Sequence, residues 1–257
     1  MSGTTPSLKV EGLTVRYGNL RALYDVSWHV DAGEILGIIG PNGAGKSSSF
    51  AAVTNTVRHS GEAWLEGVST ISIPTQRLAN RGLRRTFQQN SFYSGLTVLE
   101  NAMAAFQVQG AAGLAASVLT PWREARQRAA CRAEAADLLR EFGIDAPYHG
   151  VFPDDMPYGL QRTLSIVLAY GAGARVLLVD EPAAGVGGDD MRALADLLRA
   201  LRERGVAVVL IEHHMDLVME VVDRLVVIDR GVRIAYGAPD DVQRDPVVLE
   251  AYLGRSA

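Results

Sequence analysis

The sequence predicts an α/β fold in which a mixed, mainly parallel sheet is interrupted by a block of helices. Three observations predict it. Short runs rich in Val, Ile and Leu end in glycine or acidic residues, as strands buried on both faces of a parallel sheet do. Strand-like runs stop at Thr97 and return after about Ala172. Helical periodicity fills the interval between these two points.

Strand signals dominate the first part of the chain. Enrichment in Val, Ile, Trp and Tyr with glycine punctuation predicts strands at 8–17, 23–30 and 34–39. A glycine-rich turn follows, and a helix is predicted from Lys46. A further strand is predicted at 62–66, so the helical block is preceded by several strands.

Helical signals define the middle of the chain. Thr97-Val-Leu-Glu100 fits a capping box, which opens a helix. The stretch 122–142 carries apolar residues at helical spacing and is followed by Gly143. Another helix is predicted at 158–170. These segments predict a helical subdomain.

The alternation of strands and helices returns in the last part of the chain. Continuously apolar runs predict strands at 176–179 and 206–211, with a helix at 189–204 between them. A further strand is predicted at 224–228. Strands of this kind belong in a parallel sheet that is covered on both faces, which completes the predicted α/β core.

The composition limits what the chain can do. Its 257 residues, 48% of them hydrophobic, suffice for one large domain with a substantial core. A net charge of −4 argues against bulk nucleic-acid binding. The single cysteine, Cys131, excludes a disulfide framework and a cysteine-rich zinc site. Since no apolar run approaches the roughly 18 residues that span a bilayer, and no secretory signal is evident, we expect a cytosolic chain that reaches a membrane only through a partner.

One turn matches a phosphate-binding pattern at every fixed position. The stretch 40–47 fits G-x-x-x-x-G-K-[ST] between a predicted strand and a predicted helix. Glycines let backbone N–H groups point at phosphate oxygens, and the following helix presents its positive end to the same anion. Lys46 can reach the β- and γ-phosphates, and the Ser47 hydroxyl can ligate Mg²⁺. The predicted nucleotide-binding residues of this loop are Gly40, Pro41, Asn42, Gly43, Ala44, Gly45, Lys46, Ser47 and Ser48.

A pair of acids follows a second buried strand. The run Val176-Leu-Leu-Val places Asp180 at the carboxyl end of the strand, where open α/β sheets bind ligands. We predict that Asp180 holds Mg²⁺ through a water and that Glu181 polarises the attacking water. The loop and the acids together predict a nucleoside triphosphatase.

With these motifs in order, the chain resembles the ATP-binding subunit of an ABC transporter over nearly its whole length. Within that family it is most similar to the importers of branched-chain (hydrophobic) amino acids. The strings that carry this finer resemblance are 180–185, 211–215, the tail 250–254 and the insertion 121–150.

The resemblance implies a single ABC cassette over 1–257, with a P-loop core, an N-terminal antiparallel β-subdomain and an inserted helical subdomain. The implied division is a nucleotide-binding core in 1–90 and 173–230, a helical signature subdomain in 91–172 and a C-terminal extension in 231–257. It further implies ATP and Mg²⁺ as ligands.

Three residues acquire roles only through the resemblance. Tyr17 matches the aromatic residue that stacks on adenine. Gln88, in Arg85-Thr-Phe-Gln88, matches the glutamine that links Mg²⁺ and the water to the membrane partner, with Gln89 as the neighbouring alternative. His213 matches the switch histidine, whose neutral imidazole can donate to the γ-phosphate. The implied catalytic residues are Glu181, His213 and Gln88, and the implied Mg²⁺ residues are Ser47, Gln88 and Asp180.

The chain departs from the family in its signature, Leu-Ser-Gly-Gly-Gln, which contacts ATP held by a second subunit. The matching positions begin at Met156 and continue as Pro157, Tyr158, Gly159 and Leu160. Pro157 has no hydroxyl, so one donor to the phosphate is lost, while the helix N-terminus remains. Gly187 stands where the family usually has an Asp or Asn that bridges the subunits. We therefore hypothesise a complete half-site in this chain and a weakened signature lent to its partner.

The resemblance also implies partners and a location. The expected partners are a second ABC ATPase subunit, identical or different, transmembrane permease subunits and, indirectly, a solute-binding protein, with no nucleic acid. The expected location is the cytoplasmic side of a bacterial cell membrane, as a peripheral subunit. Three alternatives stay open: the ATPase of another transporter (a urea or amide importer, or a polysaccharide or lipid exporter), a soluble ABC protein acting on nucleic acid or ribosomes, and a nucleotide-binding module with little catalysis.

Overall fold

The computed structural model describes residues 5–86, 92–107 and 121–253. These residues form two sheets and their flanking helices. The strands are β1 (Leu8–Tyr17), β2 (Leu20–Val30), β3 (Ile35–Ile39), β4 (His59–Leu65), β5 (Val68–Ser69), β6 (Leu83–Arg85), β7 (Val176–Asp180), β8 (Ala207–Ile211), β9 (Arg224–Asp229) and β10 (Val232–Gly237). The helices are α1 (Lys46–Val53), α2 (Thr75–Asn80), α3 (Val98–Gln107), α4 (Pro121–Glu141), α5 (Ala146–His149), α6 (Tyr158–Gly171), α7 (Asp189–Glu203), α8 (Met215–Val221), α9 (Pro239–Gln243) and α10 (Pro246–Leu253).

The first sheet is antiparallel and has the strand order β2-β1-β4-β5. Alternate residues of β1, such as Leu8 and Val10, are buried, as the period of a strand with one covered face requires. The ladder shifts register beyond Val10, where Gly12 has a φ of +62°. The expected N-terminal antiparallel subdomain is confirmed.

The second sheet has the order β10-β9-β3-β8-β7-β6, with β9, β3, β8, β7 and β6 parallel and β10 antiparallel to β9. Every residue of β3, β7 and β8 is buried. Their alternate side chains enter two hydrophobic clusters: Leu36 and Ile38 face the first sheet and α1, whereas Ile35 and Ile39 face the helices. The predicted mixed, mainly parallel sheet with two covered faces is confirmed.

The helical block packs on one face of this sheet. Its first helix, α3, is capped at its N-terminus by the predicted capping box. The Thr97 N–H donates to Glu100 Oε2 at 2.8 Å, and the Glu100 N–H donates to Thr97 Oγ1 at 3.3 Å. Leu99 of α3, Leu139 of α4 and Leu164 of α6 share the helix-side cluster. Among the described helices, none combines the length and apolar character that a membrane span requires.

Several elements are absent from the sequence prediction. Strand β6 has only three residues, two of them arginines, and β10 lies at the sheet edge with no fully buried residue, so neither carries a strong apolar pattern. The short helices α2, α5, α9 and α10 were also not predicted. The sheet thus continues into 232–237, within the stretch assigned to the C-terminal extension. The domain division itself stays a prediction.

Candidate functional site

Three neighbouring parallel strands end at the same edge of the second sheet. Strands β3, β8 and β7 lie side by side, with Ile38 opposite Ile211 and Ile211 opposite Asp180. The glycine-rich loop follows β3, His213 follows β8, and the Asp180–Glu181 pair ends β7. Segments far apart in sequence therefore meet where open α/β sheets bind their ligands.

The glycine-rich loop curls because its glycines adopt conformations closed to other residues. Gly40 and Gly45 have φ values of +150° and +106°. A Cβ at Gly40 would lie 1.9 Å from the Ile228 carbonyl oxygen, and one at Gly45 would lie 2.3 Å from that of Ala22. Nothing lies within 4 Å of the Cβ position at Gly43, so the loop is open on that side. A ligand can approach the backbone there.

Helix α1 begins at Lys46, directly after the loop, so its first-turn N–H groups have no intrahelical acceptors. The Lys46 ammonium donates to the carbonyl oxygens of Gly40 at 2.7 Å and Pro41 at 3.1 Å, and the residue is only 6% exposed. Burial lowers the pKa of Lys46, while the carboxylates of Glu181 and Asp180 act to raise it. A cation and unpaired donors thus lie together in a loop that suits phosphate.

Asp180 is the last residue of β7 and is 6% exposed. The Arg85 guanidinium donates to its Oδ2 at 2.7 Å. Its Oδ1 is buried and accepts no hydrogen bond from any described residue. A buried carboxylate oxygen without a donor is rare. Together with the exposed hydroxyl of Ser47, it forms the oxygen donor set that Mg²⁺ prefers.

Glu181 adopts a strained backbone conformation. Its φ of +45° lies in the left-handed region, which costs about 1–2 kcal/mol for a residue with a Cβ. The Glu181 N–H donates to the Ile211 carbonyl at 2.8 Å, and the Ala184 N–H donates to the Glu181 carbonyl at 3.3 Å. These bonds turn the chain sharply at the end of β7. Strain of this kind clusters at functional sites.

A buried carboxylate lies behind His213. Glu212 accepts hydrogen bonds from the backbone N–H groups of Ala183 at 2.7 Å, His213 at 2.7 Å and His214 at 3.0 Å. The His213 side chain is 50% exposed, and its Nδ1 lies 3.7 Å from Glu212 Oε2. Glu212 therefore joins the loop that carries His213 to the loop that follows Glu181.

Tyr17 is the last residue of β1. It pairs with Leu20 across the β1–β2 turn, and it is 46% exposed. The following strand, β2, carries the Ala22 carbonyl that approaches Gly45. An exposed ring offers a flat surface for stacking.

The signature positions lie at the start of α6. Pro157 precedes the helix at its N-cap, which leaves the N-terminus of α6 accessible to an anion. Leu160 packs against the helix-side cluster, which explains an apolar residue at this position. Gly159 lies against Asp190, since a Cβ there would lie 2.4 Å from Asp190 Oδ2. The departure at Leu160 thus serves packing within this chain.

Tyr158 connects the signature segment to the loop after the acids. A Cβ at Gly185, whose φ is +76°, would lie 3.2 Å from the Tyr158 ring. The Arg162 guanidinium donates to the Tyr158 hydroxyl and lies 4.8 Å from the ring centroid. The signature segment and the loop that follows Glu181 therefore pack directly on each other.

The structure brings the loop, Asp180, Glu181 and His213 to one edge of the second sheet. Asn42 is exposed, Ala44 is buried, and Pro41 and Ser48 are half-buried. Gln88 and its neighbour Gln89 lie outside the described residues. Their roles, like those of the other site residues, stay predictions.

Two residues in the site were given no role from the sequence. Arg85 gave no signal, since a single arginine in a short strand has no distinctive pattern. Glu212 follows a fully buried strand directly, and that placement is the signal that could have identified it.

The comparison with protein families matches two parts of the chain. The ABC transporter family matches residues 23–184. A second family, described as the branched-chain amino acid ATP-binding cassette transporter, matches residues 232–257. The two matches include the phosphate loop, the signature segment and the C-terminal tail.

Curated relatives match over almost their full length. The chain is 36% identical to the high-affinity branched-chain amino acid transport ATP-binding protein LivG of Salmonella typhimurium, over 98% of this chain and 99% of LivG. It is 36% identical to BraF of Pseudomonas aeruginosa, a protein of the same description, with the same coverage. It is 32% identical to the lipopolysaccharide export system ATP-binding protein LptB of Haemophilus influenzae, over 96% of this chain and 97% of LptB.

A solved structure has a similar fold. The ADP conformation of MJ1267, an ATP-binding cassette of an ABC transporter, superposes with a TM-score of 0.82 at 26% identity. The match covers 98% of this chain and 100% of MJ1267. The likeness therefore extends through both sheets and the helical block.

Proposed function

Because this chain belongs to the ABC transporter family, we propose that it is the ATP-hydrolysing subunit of an importer of branched-chain amino acids. The C-terminal family match and the identity to LivG and BraF support the amino acid importer. The single observation that carries the ATPase site is the meeting of the Lys46 loop with Asp180 and Glu181 at one sheet edge.

ATP binds with its triphosphate on the glycine-rich loop. The N–H groups of the loop and of the first turn of α1 donate to phosphate oxygens, and the Lys46 ammonium moves from the loop carbonyls to the β- and γ-phosphates. The exposed Tyr17 ring stacks on adenine.

The donor set fits Mg²⁺. Asp180 offers a buried oxygen without a donor, Ser47 offers an exposed hydroxyl, and Gln88 is the third residue proposed for this site. When bound, Mg²⁺ neutralises the negative charge of the phosphate oxygens. Arg85 holds Asp180 by its other oxygen and so directs the free one toward the site.

Hydrolysis needs a positioned water and compensation of charge. The Glu181 carboxylate orients the water and accepts its proton as the oxygen attacks the γ-phosphorus. The bond between the γ-phosphorus and the bridging oxygen of ADP breaks, which yields ADP and inorganic phosphate. Lys46 neutralises charge on the transferring group, and the His213 imidazole donates a hydrogen bond to a γ-phosphate oxygen.

The partners are a second ABC ATPase subunit and membrane-embedded permease subunits. The signature segment at the start of α6 contacts ATP bound by the second subunit. ATP then favours the closed pair, and hydrolysis removes that preference. A groove of about 260 Å³ between β6, α3 and α6 suits a permease segment; it is lined by residues that include Arg84, Thr86, Phe92, Asn101 and Ser165. The subunit would work at the cytoplasmic face of the membrane.

The chain contains two lysines, Lys9 and Lys46, which permits a sharp test of the ATP site. Mg²⁺–ATP should protect Lys46 from acetylation, measured by mass spectrometry, and leave the labelling of the surface residue Lys9 unchanged. K46M should abolish nucleotide binding, whereas the control K9M should not. E181Q should bind Mg²⁺–ATP and fail to hydrolyse it. Equal nucleotide binding by K46M and K9M would refute the site.

The transported solute needs a separate experiment, because the likeness to LptB supports a lipopolysaccharide exporter as the second candidate. The complex would be purified with its membrane subunits, and ATP hydrolysis would be measured with leucine, isoleucine or valine plus the co-purified binding protein. Stimulation by these amino acids supports the importer. Stimulation by lipopolysaccharide alone would overturn it in favour of the exporter.

A further inference from the structure

Glu212 is a charged side chain with no part in the mechanism described so far. Its side chain is 0% exposed, between the buried strand β8 and His213. Glutamate is almost never fully buried unless its charge is compensated. The residues that compensate it therefore indicate what it does.

Backbone N–H groups from two different loops compensate this charge. Oε1 accepts from Ala183, two residues after Glu181, and Oε2 accepts from His213 and His214. Each carboxylate oxygen thus serves one loop. The carboxylate spans the gap between the segment behind the water-orienting glutamate and the segment that presents the γ-phosphate histidine.

We propose that Glu212 is a positioning residue that holds Glu181 and His213 at a fixed separation for ATP hydrolysis. The inference rests on the roles assigned to those two residues under the proposed function. Glu212 itself contacts neither substrate nor metal. It acts through the backbone of its neighbours.

The hydrogen bonds require a carboxylate of this length. An ionised carboxylate only accepts, and here both oxygens face N–H donors. A glutamine would turn its NH₂ group toward one of the two loops, so that donor would face donor. An aspartate is one carbon shorter and would reach one loop only.

The same cluster does not form a metal site. Ligand atoms of Glu212, His213 and His214 lie within 4.8 Å of one another. Both Glu212 oxygens are already engaged by backbone N–H groups, so the carboxylate has little capacity left for an ion. Positioning explains the cluster better.

The experiment compares kcat with nucleotide affinity in the full chain. The hydrogen bonds of Glu212 reach Ala183, His213 and His214 and no residue of the phosphate loop, so E212Q should keep its Kd for Mg²⁺–ATP within about twofold of the parent. Its kcat per folded molecule should fall at least about tenfold, since small misplacements of catalytic groups cost rate. E212D keeps the charge and should show the same split, which covers the case in which E212Q folds poorly.

Glu34 provides the matched control. Glu34 is also buried, and it accepts hydrogen bonds from the Asp31 N–H at 2.7 Å and from Arg224 Nη2 at 2.7 Å. It lies directly before β3, at the opposite end of that strand from the phosphate loop. E34Q should lower the melting temperature and leave kcat per folded molecule unchanged.

Two outcomes would overturn the proposal. One is a parental kcat per folded molecule in E212Q and E212D while E181Q is inactive, which would leave the proposed function intact. The other is a loss of total ATPase activity and of total nucleotide binding in E212Q, each in proportion to its loss of folded protein. A purely structural role requires that result. Hydrolysis by E181Q would instead show that the proposed function has failed.

Discussion

Replacing Glu181 with glycine should stabilise the fold relative to E181Q while both variants lose hydrolysis. Glu181 has a φ of +45°, where a Cβ costs about 1–2 kcal/mol. Glycine avoids that cost but loses about 0.5–1 kcal/mol more conformational entropy on folding. With midpoints of about 1.5 and about 0.75 kcal/mol for these two terms, the net gain over glutamine, which lacks the charge but keeps the Cβ, is about 0.75 kcal/mol.

Thermal unfolding and ATP hydrolysis measure the two effects. For a domain of this size, the difference corresponds to a melting temperature about 1–4 °C higher in E181G than in E181Q. Hydrolysis should fall about 10²–10⁴-fold in both variants, as expected on removal of a general base.

Glu66 is a matched control, because it has a φ of +50° in the β4–β5 turn and forms an exposed ion pair with Arg175 at 2.9 Å. E66G should exceed E66Q in melting temperature by a similar margin, with parental hydrolysis in both. The reasoning is refuted if E181G melts below E181Q while E66G melts above E66Q. Hydrolysis by E181G at the parental rate would refute the catalytic role of the carboxylate.

Three further perturbations test other parts of the site. G40A should cost more than about 3 kcal/mol in urea unfolding, because its Cβ would lie 1.9 Å from a carbonyl oxygen, whereas G43A should cost only about 1 kcal/mol for its strained φ. R85L should destabilise the fold by about 3 kcal/mol, because it removes the guanidinium that donates to the buried Asp180 carboxylate, and added MgCl₂ should restore part of the melting temperature. Burial lowers the pKa of Lys46 in the folded chain below its ordinary value of 10.5. Between the folded-state pKa and the unfolded-state pKa, the unfolded chain therefore binds more protons than the folded one. In that pH range the unfolding free energy of the parent should rise with pH relative to that of K46M.

Each result has an opposite that would contradict its premise. Equal costs for G40A and G43A would mean that close approach does not shape the loop. A melting temperature of R85L that does not change with added MgCl₂ would mean that Asp180 Oδ1 is not a cation ligand. A pH-independent difference between the parent and K46M would mean that Lys46 is not desolvated.

The sequence predicts those parts of the fold whose residues carry a pattern of their own. Strands β3 and β7 are continuous apolar runs, and the loop at 40–47 matches at every fixed position, so both were identified from the residues alone. Strand β6 could not be, because two of its three residues are arginines and only its pairing with β7 makes it a strand.

The chemistry of the site is predictable by residue type, whereas its backbone is not. Asp180 and Glu181 were located from their position after a buried strand. The left-handed turn at Glu181 depends on hydrogen bonds to β8 and to Ala184, which no local pattern shows. Glu212 also follows a buried strand, but the three N–H groups from two loops that it joins are visible only in the structure.

The packing of Tyr158 on Gly185 has a consequence for timing. Under the proposed function, the tyrosine belongs to the face that contacts a neighbouring subunit's nucleotide, and the glycine belongs to the loop that follows the acid proposed to orient this chain's own water. Any shift of that face has to displace this loop or compress the ring against it. In an assembled pair of subunits, the order of the two hydrolysis events would then depend on this contact within each chain as well as on contacts across the interface between the chains.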